Sequence, residues 1–125
     1  MANELKILSA GAVKPGLTKV IDAFQRDSGN RLQVSFATAP AILKQIGESE
    51  TVDVVIAPPG VLEQLVKSGK YAARKAVTLG RIGVGVLVRD GEPLPQIATT
   101  NDFKESLLSA QSVIYNQAST GTYLE

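Results

Sequence analysis

The stretch Leu5-Lys6-Ile7-Leu8-Ser9-Ala10-Gly11-Ala12-Val13-Lys14-Pro15 constrains this chain most, because an apolar run gives way to small residues and then to a helix-opening proline. That order reads as a buried strand, a tight turn and a helix start. With no bulky side chain between Ser9 and Ala12, free amides at the helix start are open to a ligand. The order returns twice: Val34-Ser35-Phe36 runs into Ala37-Thr38-Ala39-Pro40, and Val54-Val55-Ile56 into Ala57-Pro58-Pro59-Gly60. Three strand ends thus lead into loops poor in side chains. In an open α/β sheet ligands sit beyond the carboxyl ends of the strands, so the expected activity is binding of a small molecule without chemistry.

Between these loops the pattern alternates strand and helix. Leu17, Val20, Ile21 and Phe24 fall at helical spacing after Pro15-Gly16, and Asp27-Ser28-Gly29-Asn30 ends that helix with turn formers. Leu32, Val34 and Phe36 alternate as a second strand, and Ile42, Leu43 and Ile46 give a short apolar helix face. Val52-Asp53-Val54-Val55-Ile56 is nearly all apolar, which predicts a strand near the sheet centre; Leu62, Leu65 and Val66 then form a third helix face, stopped at Ser68-Gly69. Strands alternating with helices imply a parallel sheet with right-handed crossovers. Beyond it, 81–88 reads as a strand with Gly83 and Gly85 clearing one face, and Arg89 to Pro95 reads as a connection. A capped helix is predicted after Thr99-Thr100-Asn101-Asp102, and a last strand at Val113-Ile114-Tyr115 runs into the loop from Asn116 to Tyr123.

Composition narrows the chemistry. Among 125 residues there is no histidine and no cysteine, which removes the usual general base, thiol nucleophiles and most metal-ligand sets. A formal net charge of +1 is too small for a sequence-independent grip on nucleic acid. No apolar run reaches the ~20 residues of a membrane helix. The series Gly80-x-x-Gly83-x-Gly85 lies within a predicted strand and opens no helix, so it fails as a phosphate loop. Arg81 could meet an anion bidentately, but its place at a strand start suits a solvated edge residue. Asp53 invites two readings, a catalytic base or a structural acceptor of backbone amides; no partner acid, nucleophile or metal ligand accompanies it, which favours the second. Ser9, Thr38, Ser119 and Thr120 are hydroxyl donors beside predicted helix starts, where capping and ligand binding use the same amides.

With these residues on the page, the chain resembles the periplasmic solute-binding proteins of ABC transporters, in the molybdate-binding-protein-like group of the type II fold. The resemblance rests on Leu5 to Ala12, on Ser35-Phe36-Ala37-Thr38 followed by Leu43-Lys44-Gln45-Ile46, on Val52 to Ile56, and on Leu65-Val66-Lys67-Ser68-Gly69-Lys70. It implies that an oxyanion is held between two lobes by amides and hydroxyls and is delivered to permease subunits in the membrane. Molybdate binders of this group tend to carry serine where this chain has Ala12, and a serine cluster where it has Thr38-Ala39-Pro40. A Pro-x-Gly-x-Tyr pattern is matched as Ser119-Thr120-Gly121-Thr122-Tyr123, without the proline. The expected solute is a small anion or polar metabolite, a molybdate-like oxyanion among them, with these departures counting against molybdate itself.

The resemblance implies a three-layer α/β lobe with a parallel sheet over 1–88, and over 89–125 a hinge near Val88 to Gly91 with only the start of a second lobe. Ser9, Gly11, Ala12, Thr38, Ala39, Ala57 and Pro58 are the expected ligand contacts of the first lobe; Asn116, Ser119, Thr120 and Tyr123 are those of the second. No cofactor and no catalytic residue is expected, and the implied location is periplasmic. Relatives of this type continue further, so the chain is expected to be truncated, with an unpaired strand edge near Val113 open to a second copy. The alternative is a cytosolic effector-binding module like that of LysR-type regulators, although no DNA-binding helix pair is read before Glu4.

Overall fold

Strand β1 (Glu4–Ala10) is paired on both sides in a computed structural model that describes residues 4–48, 51–72 and 76–117. Its partner β2 (Arg31–Ala37) runs parallel from Glu4 opposite Arg31 to Ala10 opposite Ala37. On the other side β3 (Val54–Ile56) runs parallel from Ile7 opposite Val54 to Ser9 opposite Ile56. The order is therefore β2-β1-β3, and the expectation of a central β3 is overturned. Strand β1 is long enough to serve two partners and buries Ile7, Leu8 and Ser9, whereas β3 has three residues and leaves Val54 42% exposed.

Helix α1 (Lys14–Ser28) leads from β1 to β2, and α2 (Ala39–Gly47) leads from β2 past β1 to β3, in the opposite direction across the sheet. Right-handed crossovers in opposite directions place their helices on opposite faces. Leu8 accordingly packs with Ala39, Ile42 and Ile46 of α2 and with Val61 and Leu65 of α3 (Pro59–Lys67). Strand alternation turns Ile7 and Ser9 to the other face, the side of α1. The result is the expected three-layer α/β arrangement.

Local chemistry fixes the joints. Gly29 ends α1 in the left-handed conformation at φ 69°, a geometry that favours glycine, and its amide donates to the Gln25 carbonyl at 3.0 Å. The Gln25 side chain accepts from Leu32 N–H at 2.8 Å, tying the helix end to the start of β2. At the C-terminal end of α2, Lys70 Nζ donates to the carbonyls of Ile46 and Gly47, each at 3.0 Å. Tyr71 Oη donates to the Val52 carbonyl at 3.1 Å. The apolar stripe expected on α1 is narrower than predicted: Ile21 is buried and Leu17 half-buried, but Val20 is 64% exposed and Phe24 is exposed as well. Three strands make a sheet too narrow to cover the whole stripe.

The chain divides into two compact units, Met1–Gly80 and Arg81–Glu125. In the second, α4 (Thr100–Ser109) begins with a complete capping box: Thr99 Oγ1 accepts from Asp102 N–H at 3.1 Å, and Asp102 Oδ2 accepts from Thr99 N–H at 2.9 Å. The predicted connection contains a turn, with Gly91 at φ 85° and the Glu92 amide donating to the Arg89 carbonyl at 3.1 Å. Strands predicted over 81–88 and at Val113 to Tyr115 do not form; Leu87 and Ile114 are almost wholly exposed. A β-prone segment becomes a strand only where a neighbour supplies its hydrogen bonds, and among the described residues the second unit has none. The strand edge expected to bring two copies together at Val113 is thus not formed.

Ile42 is fully buried, so I42A is expected to lower stability by about 2–5 kcal/mol, read from the denaturant midpoint. Replacement of Thr99 by alanine removes one half of the α4 cap and is expected to cost about 1 kcal/mol, seen as faster amide exchange in the first turn of that helix.

Candidate functional site

Parallel pairing brings the three strand exits to one edge. Ala10 stands opposite Ala37, and Ile56 opposite Ser9, so Ala57 comes level with Ala10 one residue later. With strands about 4.8 Å apart, this row of three alanines spans about 10 Å. From it the chain rises through a single 3-10 turn, Gly11–Val13, into α1, through Thr38 into α2 and through Pro58 into α3. Because crossover direction reverses at β1, the crevice of a doubly wound sheet lies between the ends of β1 and β3. Gly11 and Ala12 border it on one side, Ala57 and Pro58 on the other.

None of the three helices at this edge is capped by a side chain. Val13 precedes α1 and Pro58 precedes α3 with no hydroxyl to offer, and Thr38 precedes α2 without using its own. Their first turns contain no acidic residue. Helix α4, in the second unit, has both a cap and Asp102 in its first turn. Each uncapped start presents amides and roughly half a positive charge toward the same rim. Pro15, Pro40 and Pro59 sit in the first turns, where a missing N–H costs least.

Seven predicted contacts therefore lie at or beneath this edge. Gly11, Ala12 and Thr38 are exposed, Ala57 and Pro58 half-buried, and Ala39 buried beneath. Ser9 is fully buried, and its hydroxyl donates to the Ala10 carbonyl at 3.1 Å, so it is directed to main chain. Asn116 lies exposed in an irregular stretch of the second unit, and Ser119, Thr120 and Tyr123 fall outside the described residues. Asp53 is placed at the other edge: its Oδ2 accepts from Lys6 N–H at 2.8 Å while its own amide donates to the Lys6 carbonyl at 2.9 Å. Four residues of strand, about 13 Å, separate Lys6 from Ala10, so Asp53 clips β3 to β1 and takes no part at the rim. Among the described residues, no group of three or more histidine, cysteine or acidic side chains could hold a metal. Sequence reasoning passed over Lys14, the first residue of α1, whose ammonium stands 5.3 Å from the centre of the Phe36 ring.

Residues 5–125 match the family described as bacterial extracellular solute-binding protein. The chain belongs to that family. This solute-binding protein is also 34% identical over 125 residues to a Pseudomonas sp protein named aconitate isomerase, the match covering 96% of the chain and 48% of that relative. It thus spans about half the length of the curated relative it matches. A solved substrate-binding domain, assigned to a molybdenum ABC transporter from Clostridium difficile, aligns with 52% of the chain and 29% of its own length at 22% identity and a TM-score of 0.47. That likeness is slight; the fold assignment stands on the pairing of the strands themselves.

Open amides at the start of α2 have a measurable consequence. T38D places a carboxylate at that cap and is expected to stabilise the ligand-free protein by about 0.5–1 kcal/mol, raising its thermal midpoint. An unchanged midpoint would show that those amides already have partners.

Proposed function

We propose that this chain captures a small polycarboxylate anion at the rim of strand ends, as the extracytoplasmic solute-binding part of an ABC importer, and passes it to permease subunits in the membrane. The observation that carries the proposal is the trio of uncapped, acid-free helix starts converging on one edge of the sheet. Membership of an extracellular solute-binding family supports capture outside the cytoplasm and disfavours the effector-module alternative. The relative named aconitate isomerase supports the ligand class, since aconitate is a tricarboxylate. Ala12, which has no hydroxyl to offer, supports a solute other than molybdate, for which the resemblance implies a hydroxyl donor at that position. A first lobe over 1–88, with 89–125 opening a second, belongs to the same proposal.

Catalysis on such an anion is a second reading, favoured by the relative's name. Isomerising aconitate moves a proton, and the residues available argue for binding instead. In the three loops, 9–16, 37–42 and 56–61, Lys14 is the one titratable side chain. A proton relay would need groups from elsewhere in the protein.

Calorimetry and thermal shift with cis-aconitate, trans-aconitate, citrate, molybdate and maltose test both readings. A tricarboxylate at 100 times its dissociation constant should add about 2.7 kcal/mol of stability, while molybdate and maltose add none. No stabilisation by any of the anions would remove the proposal. Proton NMR of aconitate incubated with the protein should show an unchanged ratio of the two isomers; conversion would establish the second reading instead.

A further inference from the structure

Lys14 occupies a position that stability alone does not explain. As the first residue of α1 it sets an ammonium beside the positive end of a helix dipole, where a carboxylate would be favourable and a cation is not. Among the described residues, no carboxylate forms an ion pair with it. What holds it is Phe36: the ammonium lies 5.3 Å from the ring centre, within the range at which an aromatic face attracts a cation. Phe36 is paired with Ser9, one residue before the alanine row, and strand alternation puts its ring on the face that α1 covers. The ring therefore holds the charge over β2, one residue before that strand leaves the sheet.

Helix α4, in the second unit, shows the opposite choice, with Asp102 in its first turn. At the rim, the amides, the dipoles and Lys14 all carry the same sign, and an incoming anion would relieve their mutual repulsion. We infer that Lys14, steered by Phe36, is the charge-selecting residue of the rim, admitting carboxylate anions and excluding neutral solutes of similar shape. This inference rests on the binding function proposed above and goes beyond it by assigning selectivity to one side chain that the backbone reading did not include.

The test uses the full chain and its K14M and K14R variants, with citrate and cis-aconitate as probes in titrations at several salt concentrations. K14M should bind at least about tenfold more weakly, as expected for loss of a charge-assisted hydrogen bond, and its affinity should depend less steeply on salt. K14R should stay within about threefold of the parent, because it keeps the charge. The ligand-free thermal midpoint of K14M should be unchanged or higher, since the clash with the dipole is gone. Equal affinity and equal salt dependence in K14M, with the parent binding normally, would overturn the inference and leave the proposed function standing. A fall in the ligand-free midpoint that accounts for the weaker binding would assign Lys14 a structural role and overturn it as well. Failure of the parent to bind any tricarboxylate would overturn the proposed function, and this inference with it.

Discussion

Two-sided parallel pairing of β1 is the constraint on which the rest depends. A strand hydrogen-bonded in the same direction on both flanks obliges all three strands to leave by one edge, so each following loop and helix start must gather there. The same pairing sets which helix covers which face: stepping from β1 to β2 and then back past β1 to β3 sends α1 and α2 to opposite sides. Burial follows from this, with Leu8 enclosed by α2 and α3 on one face. The opposite edge is handled differently. There Asp53 exchanges two hydrogen bonds with the Lys6 main chain, which holds a three-residue strand in register without help from a longer ladder.

Electrostatic choices separate the helices into two kinds. Helix α4 satisfies its first amides with Thr99 and Asp102, as a helix does when its own stability is the only demand. The three helices on the sheet leave theirs open, although Thr38 stands in position to close one of them. Leaving a cap unused sacrifices on the order of 1 kcal/mol per helix, and three such sacrifices at one edge are hard to attribute to chance packing. Partial positive charge accumulates where the strands end, at the one edge from which the chain enters three helices.

Much of this was legible in the sequence, and the failures have physical causes. Apolar periodicity located β1, β2, β3 and all four helices, because each is set by residues near in the chain. The order of strands was not legible: the apolar composition of Val52 to Ile56 reports how well a strand is covered, not which strands flank it, and β1 took the centre. Nor were the absences at 81–88 and 113–115, since strand preference is local whereas pairing requires a distant partner. At the site, small residues after each strand announced open main chain, and the structure gathers those loops. Side-chain direction was out of reach: Ser9 reads as a donor in sequence yet turns its hydroxyl to Ala10. Lys14 escaped notice because a lysine early in a helix looks like any solvated residue until the ring of Phe36 is seen beneath it.

Prolines in the first turns of α1, α2 and α3 carry an evolutionary corollary. A main-chain amide survives every replacement of its side chain save one, the change to proline, and near each helix mouth proline already occupies a place where the lost hydrogen matters least. Genetic drift along this rim can therefore remodel its contour, widening or narrowing the opening, while the polarity facing an incoming molecule is inherited almost intact. Side-chain replacement can therefore redraw the outline of this edge long before it alters the partial charge that the main chain sets there.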